Sequence, residues 1–157
     1  KDILHTNAFG LGVLRAAPFL GSVVMGFYLA YNPPTLKAGR NLFIAVTGFG
    51  LATIALALSQ NFYLSFSMLF LTGAFDNISV VIRQTILQTM TPDHMRGRVS
   101  AVNQIFISSS NEIGAFESGV AAKLMNTVPS VIFGGCMTLV VVLITFWRAP
   151  KIRKLKL

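Results

Sequence analysis

Five charged side chains, Arg15, Asp76, Arg83, Glu112 and Glu117, stand inside long stretches that are otherwise almost uncharged. An ionisable group in apolar sequence is costly to bury, so it marks an ion pair, a substrate contact or a proton relay. Spacing sorts these groups further, because residues three and four apart share one face of a helix. Gly73, Asp76, Asn77, Val80, Arg83, Gln84 and Gln88 recur at that spacing and predict one largely polar face. Ser100, Gln104, Ser108, Asn111 and Ser118, flanked by Asn103 and Glu112, predict a second. A carboxyl in apolar surroundings can bind and release a proton, which makes Asp76 and Glu112 the proton-carrying candidates. Arg83, Asn77, Gln104 and Asn111 are the side chains best placed to hold a substrate beside them. Arg15 and Glu117 serve either the same site or an ion pair that ties two helices together.

Such groups need elements to hold them, and the sequence supplies helices of membrane length. Segments 41–58 and 127–147 contain no charged residue. A helix rising ~1.5 Å per residue needs about 20 apolar residues to cross a ~30 Å hydrocarbon core. Segments 9–31, 62–90 and 99–125 have similar length but carry the charges. Asn32-Pro33-Pro34 and Thr91-Pro92-Asp93 are helix stops, since proline lacks an N–H and restricts the residue before it. The expected fold is therefore an all-α, polytopic membrane bundle of five helices over 1–148, followed by a basic tail at 149–157. Asp76 and Glu112 fall near the midplane. Arg83 lies two turns from Asp76, ~10 Å along the axis, too far for an easy ion pair. Two polar faces in lipid must meet each other, a partner or water. The simplest arrangement lines one aqueous cavity with both and leaves the two uncharged helices toward lipid.

Composition points the same way. The chain is 54% hydrophobic and 11% charged, with a mean hydropathy of +0.67, outside the balance of a soluble domain. Its net charge of +8 comes without a basic stripe interleaved with aromatics, so no nucleic-acid partner is expected. Lys37, Arg40, Arg96, Arg98, Arg148, Lys151, Arg153, Lys154 and Lys156 gather on one side of the expected bundle. Only Lys1 and Lys123 fall on the other. That bias places the tail in the cytoplasm and the N-terminus outside, in the inner (plasma) membrane. His5 and His94 lie on opposite sides, and Cys136 is the single cysteine. No metal cluster, nucleophile elbow or phosphate loop is present, so neither an enzyme nor a bound cofactor is expected. Small residues at Gly48/Ala52 and at Gly114/Ser118/Ala122 are expected to pack helix on helix.

The segment Thr91-Pro92-Asp93-His94-Met95-Arg96-Gly97-Arg98-Val99 resembles the cytoplasmic link between helices ten and eleven of major facilitator superfamily transporters. Asn111-Glu112-Ile113-Gly114-Ala115-Phe116-Glu117-Ser118-Gly119 resembles the branch of siderophore exporters and secretion effectors. The resemblance implies helices eight to twelve of a twelve-helix protein, with a missing N-terminal half; Lys1 at the start, where a Met is usual, agrees with that. It implies a cavity formed by helices eight, ten and eleven, the charged ones here, with nine and twelve peripheral. Of that family's loop signature, 31–42 retains Lys37, Gly39 and Arg40. The implied activity is proton-coupled export of an amphipathic small molecule, a siderophore or a drug, by alternating access. Arg96 and Arg98 would then mark the cytoplasmic loop. The alternative is an assembly subunit, or a non-transporting half that needs a partner chain.

Overall fold

A computed structural model of the chain describes residues 7–32 and 38–148. The elements are α1 (Ala8–Tyr31), α2 (Ala38–Leu58), α3 (Phe62–Met90), a 3-10 turn (Asp93–Met95), α4 (Arg96–Met125) and α5 (Thr127–Arg148). The described residues contain no strand. The protein is an all-α membrane helix bundle. Lys37 and the tail at 149–157 lie outside the described residues. The helices extend slightly beyond the apolar runs, so that Arg40 enters the first turn of α2 and Arg96 and Arg98 that of α4. Their side chains can leave the apolar zone there, so polar residues do not end the helix.

Four helices, α1, α2, α3 and α5, are long and apolar enough to cross a bilayer. The fifth, α4, has the length, at 30 residues, but its serines, asparagines and charges keep it less apolar than the rest. The links before α3 and after α4 are tight. Asn61 caps α3 by accepting a hydrogen bond from the Tyr63 amide at 3.0 Å. Asn126, at φ 69° and ψ 164°, turns the chain from α4 into α5 in one residue, a backbone conformation that is costly for any residue but glycine.

α3 is the centre of the packing, with α1 and α2 both against it, while α5 lies on α2 and α4 on α5. Glycine makes these contacts close. A Cβ at Gly73 would collide with the Pro18 backbone, and one at Gly21 with the Phe70 backbone, so α1 and α3 cross backbone to backbone. Ser22 locks that crossing by donating to the Gly73 carbonyl at 2.9 Å. α2 and α5 meet at Gly50 and Gly135. At Gly48 the Phe75 ring takes the space of the missing side chain. Lipid tails are as apolar as leucine, so close contact rather than burial from water must hold such helices. Hydroxyls in the spans bond back to their own helix, as Thr47 does to the Phe43 carbonyl at 2.8 Å and Thr138 to Gly134 at 2.9 Å.

One packing expectation fails. Gly48 and Ala52 do pack, but a Cβ on Gly114 would meet nothing within 4 Å. No residue of α4 is buried. Gly114 and Ser118 therefore open onto space that the described residues do not fill.

Candidate functional site

The two polar helices face each other. Asp76, Val80, Arg83 and Gln84 of α3 and Asn103, Gln104, Phe106, Ile107, Ser110 and Asn111 of α4 line a cavity of about 410 Å³. The α3 residues follow the 76, 80, 83, 84 spacing of a single face. The α4 wall is built on 103, 107 and 110 with 104 and 111 beside them. It is thus rotated slightly from the Ser100–Gln104–Ser108 stripe that the sequence suggests. Ile107 and Ser110 are the lining residues that sequence reasoning missed; their register with Asn103 was the available signal.

Within the cavity wall, charge is offered rather than consumed. The Arg83 Nε donates to the Ser79 carbonyl at 3.2 Å, which holds the guanidinium along its own helix. Its terminal nitrogens have no partner among the described residues, and neither does the Asp76 carboxylate; the one ion pair found there is elsewhere. Asp76 and Arg83 lie on one wall, two turns apart, and do not pair. A cation and an anion ~10 Å apart along a cavity can hold opposite ends of one polar ligand.

Other candidates lie apart from this cavity. Glu112 and Glu117 are exposed on α4, and neither lines the cavity. Arg15 is exposed on α1, which packs on α3 rather than on α4. The Arg15–Glu117 pair considered from the sequence is therefore not formed, because equal depth does not make their helices neighbours. Asn77 also leaves the polar face on which the sequence places it. It turns with Gly73 toward α1, where its Oδ1 is buried without a hydrogen-bond partner. A Cβ at Gly26 would stand 3.9 Å from that oxygen. Four residues separate Gly73 from Asn77, so one stripe of α3 serves α1 and the neighbouring stripe serves the cavity.

At the far end of α3, Arg96 pairs with Asp93 at 3.0 Å. Both side chains are more than half exposed, so the pair adds little stability. It gives Arg96 a partner at a helix N-terminus, where a cation gains nothing from the helix dipole. Arg98 borders a cleft with Leu87, Val102 and Phe106, where α3 and α4 meet.

The family model described as transmembrane secretion effector matches residues 1–156. The enterobactin exporter EntS of Citrobacter koseri is 26% identical over 152 residues, which cover 97% of this chain and 36% of that protein. The enterobactin exporters EntS of Salmonella typhi and Salmonella typhimurium are 24% identical over 150 residues, covering 96% of this chain and 36% of theirs. The chain thus spans about a third of the length of these curated relatives. No solved structure matches it significantly. A single model accounts for all but the last residue of the chain, which belongs to the transmembrane secretion effector family of the major facilitator superfamily.

Proposed function

We propose that this chain forms the C-terminal part of an exporter that moves an amphipathic small molecule by alternating access. The polar cavity between α3 and α4, set in an otherwise apolar bundle, carries this reading. Its open chemistry suits such a ligand. Arg83 would attract an anionic or catecholate group, Gln84, Gln104 and Asn111 would exchange hydrogen bonds with it, and Phe106 would contact its rings. A siderophore of the enterobactin type, which the names of the relatives suggest, is the first substrate choice, and a lipophilic drug the second. Asp76, unpaired on the same wall, would carry the coupling proton. Glu112 is the second candidate.

The uncovered length of α4 supports a further bundle of helices across the cavity, against which this one would rock. The inner membrane, with the tail in the cytoplasm, is the proposed location. An assembly role, with α4 docked on another chain, shares that uncovered face but gives no use to an anion and a cation set in one cavity.

The test is efflux driven by a pH gradient in reconstituted vesicles, with a catecholate siderophore and a cationic dye as substrates. Asp76→Asn is expected to lower pH-driven transport to the level of protein-free vesicles while substrate binding persists. Glu112→Gln is expected to act less. Unchanged transport in both variants would demote the two carboxylates to packing roles and move the proton site out of this chain.

A further inference from the structure

A second cavity has a different character. It lies on the other side of α3, between α2 and α5, and measures about 750 Å³. Ile44, Gly48 and Leu51 of α2, Val140 and Leu143 of α5 and the Phe75 ring give it apolar walls. Thr47 also lines it, but its hydroxyl is engaged by the Phe43 carbonyl. The one charged group at the wall is Arg40, at the very start of α2. Among the described residues Arg40 has no ion-pair partner, and the first turn of α2 holds no acid. A cation at a helix N-terminus adds to the positive end of the helix dipole, so the site favours an anion.

Length identifies the occupant. From Arg40 to Leu51 the α2 stripe covers eleven residues, or ~16 Å of helix. That is about half of a ~30 Å hydrocarbon core, the depth of one leaflet. Phe43 and Phe146 meet edge to face at 5.5 Å at the Arg40 end, which also brings the start of α2 beside the end of α5 at Arg148. The groove therefore has a basic mouth at one membrane surface and an apolar body that stops near the midplane. We propose that it holds an anionic phospholipid, its phosphate on Arg40 and one acyl chain along Ile44, Leu51 and Val140. This site is separate from the α3–α4 cavity and does not depend on its function.

The experiment measures lipid retained by the protein, purified in mild detergent in its native polypeptide context, using native mass spectrometry. Phosphatidylglycerol and phosphatidylcholine with the same acyl chains are the probes. Wild type is expected to retain one phosphatidylglycerol in preference to phosphatidylcholine. Arg40→Gln should weaken that retention about fivefold, the worth of one basic residue at a membrane surface. Ile44→Trp, or Val140→Trp should the first not fold, should abolish retention by filling the groove. Arg98→Gln removes a basic charge away from the groove and should leave retention unchanged. Equal retention of both lipids, or retention unaffected by Arg40→Gln and by the tryptophans, would overturn the site. So would an equal loss in Arg98→Gln, which would reduce the effect to general surface charge.

Discussion

Gly73 owes its identity to a backbone. Its missing Cβ is the space taken by Pro18 of α1, and no rotamer change can vacate a space that main chain fills. Gly73→Ala must force α1 and α3 apart and break the Ser22 bond, at a cost of about 3 kcal/mol or more. Gly12, on the same helix as Pro18, would meet nothing within 4 Å. Gly12→Ala should therefore be neutral or gain up to ~1 kcal/mol from helix propensity. Thermal unfolding in mild detergent separates the two, and equal melting temperatures would contradict the crossing described above. Asn77 makes the opposite case. A buried acceptor without a partner costs about 1–3 kcal/mol, so Asn77→Leu should hold or raise the melting temperature. A loss of stability would instead show that a water or another group completes its bonding. Asp76, Arg83, Gln104 and Asn111 line one cavity, and helical spacing alone brings each pair onto a face. The sequence misplaces Asn77 because residues 76 and 77 stand ~100° apart around a helix. A polar stripe wide enough to include both already spans two interfaces.

At the scale of the element, helix existence follows directly from uncharged runs and proline stops, and the observed helices keep those limits within three residues. Lateral placement does not follow. Charge and depth suggest an α1–α4 contact through Arg15 and Glu117, whereas the Gly21 and Gly73 crossing gives α1 to α3. Close backbone approach depends on which glycines meet, and single-sequence periodicity does not specify a partner. The same limit explains α4. Its Gly114, Ser118 and Ala122 spacing predicts packing, but among the described residues Gly114 and Ser118 are left uncovered. Cysteine labelling tests what each face meets. In a background with Cys136→Ser, cysteines at positions 104 and 111 should react with a polar, membrane-impermeant maleimide in opened vesicles. Cysteines at 133 and 141, on exposed residues of the apolar helix α5, should not, because lipid excludes the reagent and disfavours the thiolate. Labelling at 133 and 141 equal to that at 104 and 111 would remove the distinction between cavity and lipid faces.

For the whole molecule, orientation is decided by many charges at once, and its test lies in how hard it is to reverse. Five crossings would put the links after α1 and α3 and the end of α5 on one side, and those after α2 and α4 on the other. The first set carries nine Lys and Arg residues, the second and the N-terminus together two. Short loops rich in Lys and Arg stay in the cytoplasm because moving each positive charge across the membrane is unfavourable. Alkaline phosphatase fused after Asn61 or after Asn126 should therefore be exported and active. Fused after Pro92 or after Leu157, it should be inactive. This pattern also decides whether α4 spans, since it is the least apolar of the five helices: a polar face turned away from lipid, not apolarity, must carry it across. If α4 lay along the surface instead, the fusion after Asn126 would match the one after Pro92. Arg96→Gln with Arg98→Gln should leave the pattern intact, because seven basic residues would still stand on the expected cytoplasmic side against two on the other. Those substitutions cost less than ~1 kcal/mol of stability, since the Arg96–Asp93 pair is exposed. A flipped topology after losing only these two would mean that the α3–α4 link, and not the summed charge, sets the orientation.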